Sequence, residues 1–287
     1  MGGGSVMQLN QIGLRNYRGF KNITLDFQGK STVLYGINGV GKSSILRGIN
    51  LLFARAVCRV VMSEFKQIVP ISRDDVHFGT SRASVHGSFT FDDGKEYPYG
   101  FSYDKGTGTR QVNRKVISDF AGAFSAQYLP EHAPLPVFAY YGVNRAVLDV
   151  PLRIKQKHEF GKLEAYQNAL KATTDFRTFF EWFRNQQEIE NSRAVELKNL
   201  EYRSPALEAT RTAIQSMLPG MTNIRITHSP LRMCATKAGQ TLSIQQLSDG
   251  EKCALAMLGD LARRLSLANP ESENPLLGGG IVLIDEV

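Results

Sequence analysis

Gly36-Ile37-Asn38-Gly39-Val40-Gly41-Lys42-Ser43 is the stretch from which the fold can be read. It matches G-x-x-x-x-G-K-[ST], a loop that cradles phosphate. The glycines let the backbone curl until successive N–H groups point inward at phosphate oxygens. A helix that starts at this point adds the partial positive charge of its N-terminus. Lys42 supplies a full charge for the β- and γ-phosphates, and the Ser43 hydroxyl is a ligand for Mg²⁺. The context agrees. Ser31 to Tyr35 is a short apolar run stopped by Gly36, which predicts a strand ending at a turn. From Ser43 onward, Ile45, Ile49, Leu52, Phe53 and Ala56 fall on one helical face. A glycine-rich turn with an exposed lysine is the bland alternative, but it has no need of strand, loop and helix in this order.

Two later stretches complete the chemistry. Ile281-Val282-Leu283-Ile284-Asp285-Glu286 is four apolar residues followed by two acids. It predicts a buried strand that delivers carboxylates to its C-terminal end, where ligands sit in an open α/β sheet. Asp285 is placed to hold Mg²⁺, and Glu286 to orient and deprotonate an attacking water. Apolar strands often end in acids, so this pattern gains its force from the glycine loop. Leu247-Ser248-Asp249-Gly250-Glu251 opens a helix. Ser248 with Glu251 three residues on is a capping box. The same residues also make an anion-binding tip, with a hydroxyl beside a helix N-terminus and Gly250 allowing close approach.

Leu247 to Glu251 resembles the ABC signature, LSGGQ in its common form, and separates this class from other P-loop proteins. Leu14-Arg15-Asn16-Tyr17-Arg18-Gly19-Phe20 and the loop Asn38 look like the opening of the SMC, RecF and OLD branch of ABC ATPases. Within that branch, Tyr140-Tyr141-Gly142-Val143-Asn144-Arg145 and the aromatic segment around Trp182 are similar to bacterial anti-phage defence ATPases of the Septu type (PtuA). The resemblance runs from Met7 to the end of the chain. It implies ATP with Mg²⁺ as cofactor, held by Gly36, Asn38, Gly39, Val40, Gly41, Lys42, Ser43 and Ser44, with Arg18 near the phosphates. It implies head-to-tail dimers in which Ser248 and Gly250 of one copy act in trans on the nucleotide of the other. Septu-type ATPases work with an HNH nuclease encoded beside them, so a nuclease and DNA or RNA are the implied partners. Two departures stand out. No Q-loop glutamine is assignable, and Ile71-Ser72-Arg73-Asp74-Asp75 is the stretch that fills its place. The D-loop and switch histidine that should follow Glu286 are missing before Val287, so the chain reads as truncated and as a poor hydrolase by itself.

The rest of the sequence sets bounds. Of 287 residues, 42% are hydrophobic and 21% charged, enough apolar content for a core. A net charge of +7 suits a polyanionic partner, although many soluble proteins are mildly basic. Cys58, Cys234 and Cys253 are scattered, which argues against a disulfide framework or zinc site and fits the cytoplasm. No apolar run is long enough to span a membrane. Residues 1–6 read as an expression scar. Residues 7–150 read as an N-terminal ATPase lobe, with a hairpin of Val85 to Phe91 and Tyr97 to Tyr103 and, from Pro98, an edge second strand. Residues 151–220 read as a helical insertion, opened by the basic group Arg153, Lys155, Lys157 and Lys162. Its aromatic face of Phe176, Phe179, Phe180 and Phe183 reads as core in preference to a docking face. Residues 221–287 read as a C-terminal lobe, whose helix from Gly250 carries the stripe Ala254, Met257, Leu258, Leu261, Ala262 and Leu265.

The expected architecture is therefore α/β: an ABC ATPase head with an antiparallel N-terminal lobe, a parallel core sheet and a helical insertion. The expected role is an ATPase that gates a nuclease or nucleic acid in a defence complex. A DNA-repair or chromosome-maintenance ATPase of RecF or SMC type, a non-hydrolysing scaffold and a small-molecule P-loop kinase are the alternatives.

Overall fold

The computed structural model describes residues 7–61, 70–143 and 160–286, with the side chains of 56–60 excluded. Arg153, Lys155 and Lys157, and Asn144 and Arg145, lie outside the described residues.

Alternation of apolar and polar residues builds the first sheet. β1 (Gln8–Tyr17) and β2 (Phe20–Asp26) form a hairpin. Helix α1 (Lys42–Val61) follows the glycine loop. β3 (Arg82–Thr90), β4 (Glu96–Asp104) and β5 (Arg110–Val112) then complete an antiparallel sheet in the order β2-β1-β3-β4-β5. Every second residue is buried along β3 and, from Tyr99 on, along β4, as a period of two requires. That face packs on α2 (Arg114–Tyr128), whose N-cap Asn113 accepts from the N–H groups of Lys115 and Val116. The contact is aromatic, with Phe120 centroids 5.5 Å from Phe89 and 5.1 Å from Phe91. Burying one such ring contributes about 1.5–3 kcal/mol. The expectation that β4 is an edge needs correction. β5 covers it at Phe101 to Tyr103, and Pro98, whose ring nitrogen cannot donate, falls beyond that cover.

β6 (Val137–Tyr141) opens the second half. α3 (Phe176–Glu196) and α4 (Pro205–Met217) follow, then a three-stranded antiparallel sheet of β7 (Met221–His228), β8 (Leu231–Lys237) and β9 (Gln240–Ser243). α5 (Asp249–Ala268) leads back to β10 (Gly280–Ile284). β10 pairs with β6 in parallel, from Gly280 opposite Val137 to Ile284 opposite Tyr141. The α/β architecture and its antiparallel N-terminal lobe agree with the sequence reading. The aromatic face of α3 is core: Phe176, Phe179, Phe180, Trp182 and Phe183 are all buried. Gly259 of α5 is what admits it, because a Cβ there would stand 2.5 Å from the Phe179 ring.

Two further expectations are corrected. Ser31 to Tyr35 forms no strand: β10 is paired with β6, no described strand pairs with 31–35, and Val33 and Tyr35 are 85% and 93% exposed. The apolar stripe on α5 is too narrow. Ala262 is buried and Leu258, Leu261 and Leu265 pack half-buried against the core, with Ala254 and Met257 also half-buried, but Leu255, Ala256, Gly259, Asp260, Arg263 and Arg264 outside the stripe are buried as well. The C-terminal half of the helix is largely enclosed, and there Asp260 pairs with both Arg263 and Arg264.

Candidate functional site

Residues 36–43 form an open loop between a solvent-exposed segment and the N-terminus of α1. Gly39 and Gly41 take φ of 84° and 107°, a region that side chains avoid. Gly41 is doubly constrained, since a Cβ there would stand 2.4 Å from the ring of Phe20. Phe20 therefore lies directly against the loop backbone. Asn38, Gly39, Val40 and Ser43 are exposed, and Ser44 is half-buried. Lys42 arches back over the loop, with Nζ donating to the carbonyls of Gly36 at 2.7 Å and Ile37 at 3.0 Å. A phosphate has only to replace those carbonyls to recruit the ammonium.

The second motif arrives at the same place. Asp285 follows the last residue of β10, and its N–H donates to the Tyr141 carbonyl at 2.8 Å. Ser43 Oγ donates to Asp285 Oδ1 at 3.1 Å, across 242 residues of sequence. Two adjacent ligands of an octahedral magnesium ion with bonds of about 2.1 Å stand about 3 Å apart, so this pair fits that ion. Among the described residues no group of three or more His, Cys, Asp or Glu could hold a metal. A site with two protein oxygens, completed by phosphate oxygens and waters, is the arrangement magnesium favours. Glu286 is exposed and has φ of 55°, which turns the chain sharply after the strand. Tyr140 stands half-buried nearby; burial, and then the Asp285 carboxylate, push its hydroxyl above its ordinary range.

Arg18 sits in the turn between Tyr17 and Phe20, so it shares the turn whose Phe20 touches Gly41. Its Nε donates to Asp75 Oδ1 at 2.8 Å. Arg47, on the helix that the loop opens, also reaches Asp75, with Nε to Oδ1 and Nη2 to Oδ2 both at 3.3 Å. Ser72 N–H adds 3.0 Å to Oδ2. Burial pushes the Asp75 carboxyl up, but Arg47, the Ser72 N–H and Arg18 outweigh it and hold it below its usual range. The segment read as a stand-in for the Q-loop thus delivers a carboxylate, which no local pattern marked as functional.

Ser248 is the N-cap of α5, and the capping box is real. Ser248 Oγ donates to Glu251 Oε2 at 2.8 Å and accepts from the Glu251 N–H at 3.4 Å. Lys237 of β8 also holds Glu251, and the hydrogen bonds from Lys237 and Ser248 pull its carboxyl down to about 2. A Cβ on Gly250 would meet nothing within 4 Å, so the tip is open to approach. Ser248 and Gly250 have no hydrogen bond or ion pair with the glycine loop of their own chain among the described residues. Lys42, Ser43 and Asp285 are brought together, Arg18 joins them through its turn, and the tip is presented outward.

A family model described as AAA domain matches residues 11–218. The "Retron Ec83 probable ATPase" of Escherichia coli is 30% identical over 99% of this chain and 64% of its own length. The "Retron Vc95 probable ATPase" of Vibrio cholerae serotype O1 biovar El Tor is 26% identical over 98% of this chain and 64% of its own. The chain therefore spans less than two thirds of the length of these relatives. Among solved structures, an SMC head bound to the C-terminal winged-helix domain of ScpA is similar at 15% identity and a TM-score of 0.48, over 97% of this chain and 90% of that one. No helix among the described residues is long and apolar enough to cross a membrane.

Proposed function

The chain belongs to the AAA domain family of ATPases, and from that premise we propose that it binds ATP with Mg²⁺ at residues 36–44 and hydrolyses it when two copies engage head to tail. The observation that carries this reading is the meeting of Ser43 and Asp285 across the chain. A glycine loop alone binds phosphate; a loop whose serine meets a carboxylate at a strand end is built for a metal-bound triphosphate. Bound Mg²⁺, held by Ser43 and Asp285, supplies charge neutralisation at the β- and γ-phosphates.

The chain's own residues do the rest. Backbone N–H groups of 38–43 and the α1 N-terminus hold the phosphate oxygens. Lys42 gives up the Gly36 and Ile37 carbonyls for the γ-phosphate. Glu286 takes a proton from the attacking water as its oxygen bonds to phosphorus and the bond to the ADP oxygen breaks. Ser248 and Gly250 of the second copy close over the γ-phosphate, so the capping hydroxyl exchanges its own Glu251 for phosphate. We place the protein in a bacterial defence system of the retron or Septu kind, where engagement of two copies gates an associated nuclease or nucleic acid. The names of the two relatives, the sequence resemblance and a net charge of +7 support that placement.

Replacing Glu286 separates binding from chemistry. Glu286→Gln removes the base while keeping the shape. ATP affinity should stay within about twofold, and phosphate release from the full-length protein should fall by roughly 100-fold or more, the usual worth of a positioned base. Equal phosphate release by the variant and the parent would remove Glu286 from the mechanism.

A further inference from the structure

Arg18 approaches the glycine loop from a turn, and turns do not by themselves fix a long side chain. A free guanidinium would sample many rotamers and lose that freedom when a phosphate ordered it. Here it is ordered in advance. Asp75 is buried, with 2% of its side chain exposed. It takes the Arg18 guanidinium by Nε, the donor at the base of the fork. The two terminal nitrogens, which make bidentate contacts with phosphate, are not the atoms Asp75 uses.

The carboxylate is itself fixed from several sides. The Ser72 N–H and hydroxyl donate to Oδ2, at 3.0 and 3.4 Å. Arg47 grips both oxygens from α1, one helical turn after Ser43, and also donates to the Pro70 carbonyl at 3.2 Å. The backbone is cross-tied as well: Arg18 N–H donates to the Asp75 carbonyl at 2.8 Å, and His77 Nδ1 contacts the Arg18 carbonyl at 2.7 Å. Three separate pieces of chain, the β1–β2 turn, the loop helix and residues 70–77, therefore converge on one carboxylate. Arg47, with its contacts to Asp75 and Pro70, anchors. Arg18, whose terminal nitrogens have no hydrogen-bond partner among the described residues, is the one left to reach a ligand.

We infer that Asp75 is a positioning residue of the nucleotide site: it holds the Arg18 guanidinium by Nε in one place beside the loop, so that its terminal N–H groups form a preset fork for the phosphates of the nucleotide. This rests on the proposed ATP site. Asp75 touches no phosphate itself. It acts only through Arg18, and that makes the inference separable from a plain structural role.

The test is a double-substitution cycle read as ATP and ADP affinity, with melting temperatures alongside. Arg18→Ala and Asp75→Asn should each weaken ATP binding by about tenfold. The double variant should be little weaker than either alone, because without Arg18 there is nothing to position. Asp75→Glu, which keeps the charge, should recover most of the affinity; if Asp75→Asn does not fold, Asp75→Ser takes its place in the cycle. Penalties that simply multiply in the double variant would overturn the inference and leave Asp75 a structural residue. So would an Asp75→Asn protein that binds ATP as tightly as the parent. Absence of ATP binding by the parent protein would instead overturn the site reading itself, and the inference with it.

Discussion

Lys42→Ala should cost about 100-fold in ATP affinity while leaving the fold intact. The ammonium makes the one full positive charge inside the loop, and charge-assisted bonds to phosphate are worth about twice a neutral bond. Losing such a contact costs on the order of 2–4 kcal/mol, and 2.7 kcal/mol is about 100-fold. The fold should not notice. Among the described residues Lys42 serves only the carbonyls of Gly36 and Ile37, in an exposed loop where water can replace it. The loop keeps its course through its glycines and through the N–H of Ile45, which donates to the Gly41 carbonyl at 3.0 Å. Calorimetric titration with ATP, beside thermal melts of both proteins, measures both halves. Unchanged affinity would mean that the triphosphate sits elsewhere.

Asp260→Ala should cost about 3–5 kcal/mol of stability, a loss that on its own consumes a large share of the 5–15 kcal/mol typical of a folded domain. Asp260, Arg263 and Arg264 are fully buried on α5. The aspartate takes Arg263 Nη2 at 2.9 Å, Arg264 Nε at 2.7 Å and the Tyr141 hydroxyl at 3.0 Å. Arg264 is further satisfied by the carbonyls of Ala165 and Gln167, at 2.6 and 2.9 Å. Among the described residues, Arg263 Nε and Nη1 and Arg264 Nη2 have no partner. One carboxylate therefore compensates two guanidiniums, and deleting it strands both. Chemical denaturation of the variant, with its midpoint read against the parent, checks the figure; a loss under about 1 kcal/mol would mean water reaches the cluster.

The same aspartate sets a pH dependence. Burial pushes its carboxyl up, but Arg264 and Arg263 outweigh burial and hold it below the ordinary value. Because the folded state binds the proton less readily than the unfolded chain, the stabilisation is complete above about pH 4. It drains away as pH falls through the folded-state value. The cluster also reaches the proposed nucleotide site. Tyr141 ends β6, lies opposite Ile284, and its carbonyl takes the N–H of Asp285.

These two clusters mark the limit of what local sequence can tell. The glycine loop, the Asp285 strand and the Ser248 cap are legible because each is a contiguous pattern with its own local physics. Four strands of the N-terminal lobe are legible for the same reason, since alternation is a local signal, whereas β5, three exposed residues, carries none. The Asp75 and Asp260 clusters are assembled from afar, 57 residues from Arg18 to Asp75 and 119 from Tyr141 to Asp260. On α5 the spacing Asp260, Arg263, Arg264 looks like a solvated charged face, and only tertiary enclosure makes it core. Ser31 to Tyr35 failed in the opposite sense. It has the apolar content of a strand, but a strand exists only with a neighbour, and none of the described strands pairs with it.

The central claim is that a triphosphate on one copy's glycine loop is completed by the other copy's Ser248 tip. Light scattering on the Glu286→Gln protein, which should hold ATP without turning it over, tests it directly. Adding ATP and Mg²⁺ should double the mass, and Ser248→Arg in the same background should stay single while binding ATP. A Ser248→Arg protein that still doubles with ATP, or a Glu286→Gln protein that binds ATP and stays single, would contradict the account.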